Sequence, residues 1–354
     1  MSKNKKTAIV SAVLLSTAML SGCSLFGNDT KVNVDPPKNT YSENAAKEST
    51  NTAKETSGKA AAENSIATEL YLVDKDGYIV PQTVNLPQTK SIATEALEYL
   101  VKNGPVTDML PNGFQAVIPQ DTKISVNIKK KVATVDFSKE FKEYKKEDEA
   151  KILQSITWTL TQFNSINSVK LQINGKALTE MPVDKTPIQN ALTRADGINI
   201  DTSDVTDITN TKPLTVYYIG GDSGAYYYVP VTKRVNNGEE NNIAAAVEEL
   251  VKGPEKSSSL VTEISPDAKL LDTPKVADGK VTLNFNDSIY SSFDDKEKMV
   301  TDMAINSLVL SLTEQEGIES VALTVDGKDQ LQNEEGKSLS APVTRPQKVN
   351  TGSY

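Results

Sequence analysis

The chain has 354 residues, and 38 Lys and Arg stand against 47 Asp and Glu, which gives a formal net charge of −9. This acidic balance argues against a protein that binds the nucleic-acid backbone, because such a protein needs a basic surface. Histidine is absent and cysteine occurs once. A Ser-His-Asp triad, His-ligated zinc and an internal disulfide are therefore excluded. We expect no catalytic residue, no metal site and no cofactor.

The N-terminus has the pattern of a bacterial export signal. Three lysines precede an apolar stretch over residues 8–20, which is short for a transmembrane helix and ends in Leu20-Ser21-Gly22-Cys23. These four residues match the lipobox of bacterial lipoproteins. The match predicts that residues 1–22 are a cleaved signal peptide and that Cys23 is lipidated. Two or more acyl chains anchor a protein stably, so we predict that acylated Cys23 attaches the chain to the membrane.

A polar segment follows the lipidation site. Residues 23–66 are rich in Asn, Thr, Ser, Lys, Glu and Ala, and Pro36-Pro37 interrupts any early helix. Such a composition buries too little apolar surface to offset chain entropy. We predict a disordered tether with a reach of roughly 35 Å.

The remainder of the chain contains one unit twice. Three segments recur in the same order at offsets of 150, 148 and 152 residues: Ala96–Lys102 with Ala246–Lys252, Thr134–Phe137 with Thr282–Phe285, and Ser168–Lys176 with Ser320–Lys328. We therefore assign a first domain to residues 67–181, a connector to 182–212, a second domain to 213–340 and a tail to 341–354. Each copy has its own apolar stripes and the connector is polar, which predicts two independently folding domains.

Both copies show the same order of predicted elements. In the first copy, strand patterns begin at Leu70–Val73 and continue after a Gly/Asp turn, and a helix with apolar residues at helical spacing ends at Gly104-Pro105. Two strands over 124–128 and 132–137, a helix over about 147–163 and a strand over 169–173 complete the unit. The fold class is α+β, with two tandem copies of a ββαββαβ domain and helices on one sheet face.

These features resemble a known family. A domain of this size whose helix ends in Leu250-Val251-Lys252-Gly253-Pro254 is similar to the GerMN domain, and the first copy departs from the motif by one inserted residue, Asn103. The resemblance covers residues 69 to about 337. Two such domains behind a lipobox resemble the tandem GerMN-domain lipoproteins of bacilli.

The resemblance implies a role in sporulation and spore germination without catalytic residues. It also implies a likeness to the ring-building domains of secretion machines, and hence packing into an envelope assembly or self-association, including rings. The expected location is the extracytoplasmic side of the cell membrane, which in a sporulating cell faces the space between the mother-cell and forespore membranes.

Two patterns imitate catalytic or metal sites. Gly221-Asp222-Ser223-Gly224 spells the nucleophile turn of trypsin-like proteases, and Asp74-Lys75-Asp76-Gly77 resembles the start of a calcium loop. Ser223 has no histidine base anywhere in the chain, and the calcium pattern lacks its later ligands. Both segments are predicted to be hairpin turns.

An alternative function rests on a cluster of tyrosines in the first hairpin of the second copy. Strand alternation places Tyr226 and Tyr228 on one face, where they could stack on the sugars of cell-wall glycan. Ordinary cross-strand packing of aromatic residues explains the same pattern.

The last prediction concerns the second helix of each copy. Trp158 lies on the side opposite the apolar stripe of its helix, and Leu310 is its counterpart at offset 152. Large exposed apolar groups mark contact surfaces, so we predict that Trp158 and Leu310 form an interface. The alternative is that the connector or the loop Met109–Pro119 covers this side.

Overall fold

The first repeat begins with an antiparallel hairpin and continues into a mixed α/β layer. A computed structural model describes residues 65–351, except 112, 189, 204, 206, 207, 223, 239, 240, 292–298 and 330, and these residues belong to one compact unit. The elements of the first repeat are β1 (Ser65–Val73), β2 (Ile79–Pro87), α1 (Ile92–Glu98), β3 (Ile124–Lys129), β4 (Val132–Phe137), α2 (Glu149–Leu160), β5 (Ser168–Ile173) and β6 (Lys176–Ala177).

The second repeat follows the same order. Its elements are β7 (Thr211–Asp222), β8 (Ala225–Asn236), α3 (Asn242–Lys252), β9 (Lys275–Ala277), β10 (Lys280–Phe285), α4 (Asp302–Thr313), β11 (Ser320–Val325) and β12 (Val343–Thr344). The prediction of an α+β fold with two tandem copies is confirmed. Within the described residues, each copy also carries a short strand after its expected last one.

Each repeat has two separate sheets. The hairpins β1–β2 and β7–β8 stand alone, and the larger sheets have the strand orders β3-β4-β5-β6 and β12-β11-β10-β9. The central pairs β4–β5 and β10–β11 are parallel, with Val135 opposite Leu171 and Leu283 opposite Leu323. Helix α2 contacts both β1 and β5, and α4 likewise contacts β7 and β11. The second helix of each repeat thus joins the hairpin to the sheet.

Local sequence explains how these elements form. In β4 the side chains of Ala133, Val135 and Phe137 are buried and alternate with more exposed residues, as expected for a sheet that is covered on one face. Helix α3 begins where the Asn241 side chain accepts hydrogen bonds from two backbone N–H groups, and it ends at Gly253, whose φ of 80° suits glycine.

The two repeats share one apolar core. Buried side chains from both copies form a continuous cluster that includes Val80 and Leu86 of β2 and Val229 and Val231 of β8. The separate apolar stripes of the sequence therefore meet across the boundary between the repeats. In the described part of the chain, none of the helices has the length and apolar character needed to cross a membrane.

The segment that we assigned to the tail is partly built into the fold. Val343 of β12 pairs with Val321 of β11, and the side chains of Val349 and Asn350 are buried. The connector is built in likewise, since Leu192 forms a β-bridge with Val169 of β5 and Ile198 is buried. These two segments bring polar groups to the contact between the repeats.

Candidate functional site: the contact between the two repeats

Trp158 and Leu310 are buried, so the prediction that they lie on an exposed surface is wrong. Trp158 is 1% exposed and Leu310 is 0% exposed. Helical periodicity predicted that Trp158 lies opposite the apolar stripe of its helix, and the repeat offset gave Leu310 as its counterpart, but segments that are remote in sequence cover both side chains. Both residues therefore contribute to internal packing.

The connector covers Trp158, as in the alternative that we considered. The indole Nε1 donates a hydrogen bond to the carbonyl oxygen of Gly197 at 3.2 Å, and the guanidinium carbon of Arg194 lies 4.3 Å from the ring centroid. The Tyr71 ring of β1 packs against the indole at 5.6 Å between centroids. Cation–π contact and hydrogen bonding together hold the indole in place.

The C-terminal segment covers Leu310 in a similar way. Leu310 packs with Tyr217 of β7 and with Val349, and the Tyr228 ring lies against this group. Arg345 donates to the carbonyl oxygen of Leu310 at 3.4 Å, and its guanidinium carbon lies 5.4 Å from the centroid of the Tyr217 ring. An arginine thus caps the buried aromatic group of each repeat.

The two arginines meet at one carboxylate. Arg194 Nη1 lies 2.9 and 2.8 Å from the two carboxylate oxygens of Glu314, which follows α4, and Arg345 Nη1 lies 3.2 Å from Glu314 Oε1. Arg345 Nη2 also approaches Glu69 Oε1 of β1 at 3.7 Å. Two guanidiniums and two carboxylates balance each other in charge, which offsets the cost of their burial.

Tyrosine hydroxyls and an amide complete this network. Tyr71 donates to Glu69 at 3.0 Å, and Tyr217 donates to Glu314 at 2.9 Å. The Gln162 side chain accepts from the backbone N–H of Glu69 at 2.8 Å. We call the side chains of Glu69, Tyr71, Arg194, Tyr217, Glu314 and Arg345 the central network.

The electrostatics of the central network favour its charged form. Burial would raise the pKa of Glu314, but the guanidiniums of Arg194 and Arg345 outweigh it and lower the pKa to about 2. Burial raises the pKa of Tyr217 well above its usual value, and the nearby Glu314 carboxylate adds to this increase. Glu314 is therefore ionised and Tyr217 is neutral at physiological pH, as their hydrogen bond requires.

A cleft of about 590 Å³ opens beside the central network. Its lining includes Glu69, Arg194, Glu314 and Arg345 together with residues after α2 and α4. Both arginines are already paired with carboxylates, so the cleft presents no uncompensated positive charge among the described residues. The arrangement is suited to holding the repeats together.

Tyr226 and Tyr228 do not form a shared open face. Tyr226 is 45% exposed near the tip of the β7–β8 hairpin. Tyr228 is half-buried against Tyr217, Leu310 and Val349, and its hydroxyl accepts a hydrogen bond from Asn306 at 3.1 Å. The C-terminal segment packs against one of the two rings, as in the alternative of ordinary aromatic packing, and glycan stacking by this pair stays a prediction.

The other predicted sites lie partly outside the described residues. This applies to Leu20, Ser21, Gly22 and Cys23 of the lipobox, to the tether and to Ser223. The described Asp74 accepts hydrogen bonds from the backbone of its own turn and from the Tyr227 hydroxyl at 2.9 Å. Across the described residues, His, Cys, Asp and Glu side chains do not gather in groups that could hold a metal.

Sequence reasoning missed Glu69, Arg194, Glu314 and Arg345. A signal for the two arginines was present, because Thr193-Arg194 and Thr344-Arg345 recur at an offset of 151 residues, within the range of the other repeats. The signal lies in segments that composition assigned to a connector and a tail.

Comparisons with known proteins agree with this architecture. The family described as "Germane: Sporulation and spore germination" matches residues 69–179 and 215–331. The chain is 51% identical over 363 aligned positions to the spore germination protein GerM of Bacillus subtilis (strain 168), covering 99% of both chains.

Solved structures extend the comparison. The tandem GerMN domains of the sporulation protein GerM from Bacillus subtilis superpose with a TM-score of 0.76 at 55% identity, covering 81% of this chain and 100% of that one. The first GerMN domain of the same protein is 62% identical and covers 36% of this chain and 98% of that one, with a TM-score of 0.36. Since both repeats match the family and the sequence similarity spans nearly the whole chain, this protein is a member of the Germane family of sporulation and spore germination proteins.

Proposed function

We propose that this protein is a non-enzymatic, lipid-anchored assembly component of an envelope complex in sporulation and spore germination. Acylated Cys23 holds it on the extracytoplasmic side of the cell membrane. In a sporulating cell this side faces the space between the mother-cell and forespore membranes. The family membership supports the process, and the complete lipobox supports the anchor.

The observation that carries the assembly role is that the buried charges of the central network pair with one another. Glu314 accepts from both Arg194 and Tyr217, and Arg345 approaches both carboxylates, so the central network holds the repeats together. In the described residues, this dense polar cluster thus has a structural explanation. Two joined domains on the predicted tether are suited to contacting proteins at a distance from the membrane.

The open faces of the larger sheets are the surfaces available for such contacts. Thr134 and Asp136 of β4 and Lys170 and Gln172 of β5 point away from the buried side chains of those strands. They are half-buried or exposed and polar, which suits reversible protein contacts. The partners are proteins of the envelope assembly or further copies of this chain, and closed rings are one form of such self-association.

Lipidation can be tested directly. Cells that produce the chain are labelled with palmitate, and the Cys23→Ala variant is compared with a Ser24→Ala control. We expect label and membrane fractionation for the parent and the control but not for Cys23→Ala. Incorporation of palmitate by the Cys23→Ala variant would exclude the anchor.

The assembly role is tested by crosslinking the anchored protein in sporulating cells, followed by mass spectrometry. We expect crosslinks from lysines of the sheet faces to other envelope proteins or to a second copy. Crosslinks confined to single molecules, together with a monomeric particle in solution, would contradict assembly and rings alike.

A further inference from the structure

The connector and the C-terminal segment contain the same motif. Thr193-Arg194-X3-Ile198-Asn199 recurs as Thr344-Arg345-X3-Val349-Asn350, at an offset of 151 residues. The backbone of both asparagines is left-handed, with φ of 44° for Asn199 and 55° for Asn350. Asparagine adopts this conformation more readily than most residues. The two segments therefore share the spacing of the motif and the left-handed backbone of its asparagine.

Each asparagine connects the second strands of both hairpins. The Asn199 amide accepts from Ile79 N at 2.8 Å and donates to Ile79 O at 2.7 Å, and it also donates to Pro230 O in the other repeat at 2.7 Å. The Asn350 amide accepts from Tyr228 N at 2.8 Å and donates to Tyr228 O at 2.9 Å, and it also donates to Pro81 O in the other repeat at 2.8 Å.

The preceding aliphatic residue binds the other repeat's strand in the same reciprocal way. Ile198 N donates to the Thr232 hydroxyl at 2.9 Å, and Thr232 N donates to Ile198 O at 2.8 Å. Val349 N donates to the Thr83 hydroxyl at 2.9 Å, and Thr83 N donates to Val349 O at 3.1 Å. The strand positions 79, 81 and 83 correspond to 228, 230 and 232 at an offset of 149.

The arginines of the motif do not repeat this exchange. Arg194, after the first repeat, pairs with Glu314 of the second, whereas Arg345 lies between Glu314 of its own repeat and Glu69 of the first. The aliphatic residue and the asparagine of each segment therefore have a counterpart that makes the corresponding contact in the opposite direction. Reciprocal contacts of this kind define a self-complementary, two-fold interface.

We propose that the segments Thr193–Asn199 and Thr344–Asn350 are a pair of clasps by which one GerMN repeat recognises a second GerMN repeat. Each clasp binds across the second strands of the two hairpins, and the required ligand is a peptide that contains the aliphatic-Asn pair at the end of the motif. This interface closes on itself, so any contacts that extend an assembly of this protein use other surfaces. The proposal is independent of the membrane anchor.

Hydrogen exchange in the full chain tests the cross-repeat action of the clasps. Asn350→Ala should speed exchange of the Thr83 amide, which lies in the other repeat, by about tenfold or more, because it removes the three hydrogen bonds by which the Asn350 amide joins Tyr228 to Pro81. Asn199→Ala should do the same for the Thr232 amide. Lys348→Ala is the matched control, since Lys348 is exposed in the same segment, and it should leave both rates unchanged. Equal exchange in Asn350→Ala and Lys348→Ala would overturn the proposal.

A peptide supplied in trans tests recognition itself. A chain that ends at Pro342 lacks the second clasp, and a synthetic peptide of residues 341–354 should bind it and restore protection of the Thr83 amide. The same peptide with Asn350→Ala should bind at least about tenfold more weakly. Equal binding of both peptides, or no binding to a folded truncated chain, would contradict the proposal. If the truncated chain does not fold, the full-chain exchange rates decide alone.

Discussion

At the scale of single residues, Trp158 links three parts of the chain. Its indole contacts the Tyr71 ring, donates to Gly197 and lies under the Arg194 guanidinium. We expect Trp158→Ala to lower the free energy of unfolding by about 3–5 kcal/mol, as truncation of a buried tryptophan does. Denaturant melts measure this, with the half-exposed Tyr226→Ala as a control that costs less than about 0.5 kcal/mol. A loss below about 1.5 kcal/mol for Trp158→Ala would show that its packing is loose.

A second residue-scale prediction concerns Glu149, which is buried at the start of α2. Its carboxylate accepts from the backbone N–H groups of Val183, Asp184 and Thr186 at 2.8–3.1 Å and from the Tyr144 hydroxyl at 2.7 Å. Burial would raise its pKa, but these hydrogen bonds lower it to about 2 from an ordinary value of 4.5. The native state therefore binds this proton more weakly than the unfolded state does.

The stabilisation from Glu149 is fully present above pH 4.5 and is lost as the pH falls towards 2. We expect a loss of about 2–3 kcal/mol over this window. Glu149→Gln should be less stable at neutral pH and should show a smaller dependence on acid than the parent. The exposed Glu147→Gln is the control, and an acid dependence of Glu149→Gln equal to that of the parent would rule out this carboxylate as the cause.

The burial of Trp158 and Leu310 could not be predicted from the sequence. Helical spacing singled out Trp158 and the repeat offset singled out Leu310, because both patterns are present in the linear sequence. Their burial depends on Gly197 and Val349, which lie 39 residues away in each case. Composition alone did not indicate that these polar segments fold back.

At the scale of elements, one hairpin turn differs between the repeats in a way that predicts stability. The β3–β4 turn has Lys130 and Lys131 at φ of 51° and 62°, where the β9–β10 turn has Asp278 and Gly279 at 50° and 72°. Two-residue turns of this type favour Asn or Asp followed by Gly. Lys130→Asn combined with Lys131→Gly should therefore stabilise the protein by about 1 kcal/mol.

The converse change provides the control in the second repeat. Gly279→Lys places a Cβ atom 3.2 Å from the Glu319 side chain at a positive φ, so it should destabilise by about 1 kcal/mol. Denaturant midpoints measure both variants. If the Lys130→Asn, Lys131→Gly variant is less stable than the parent, the lysine side chains stabilise the turn by more than their positive φ angles cost.

Most elements could be predicted because their periodicity is local. Val132–Phe137 was located as observed, and the helix expected over about 147–163 runs over Glu149–Leu160. The strands Lys176–Ala177 and Val343–Thr344 were missed because two residues are too few to show an alternating pattern. The separate sheet of the first hairpin was also missed, because the alternation of apolar and polar residues does not specify which strands pair.

At the scale of the whole molecule, the sequence and the structure differ on how separate the repeats are. Duplication and a polar connector predicted two independent domains. The structure joins them through one apolar core, and the Tyr227 hydroxyl of the second repeat donates to Asp74 of the first. The sequence repeat shows that there are two units. Their contact is formed by residues that come together only in the folded chain.

If the two repeats form a single unit, they unfold together, and this can be measured directly. Trp158, the only tryptophan, lies in the first repeat at the contact, so its fluorescence follows that region, whereas calorimetry follows the whole chain. We predict one heat-absorption peak with equal calorimetric and van't Hoff enthalpies, and a fluorescence midpoint that coincides with it. Two separate peaks, with the fluorescence change confined to one of them, would contradict the conclusion that the repeats form a single unit.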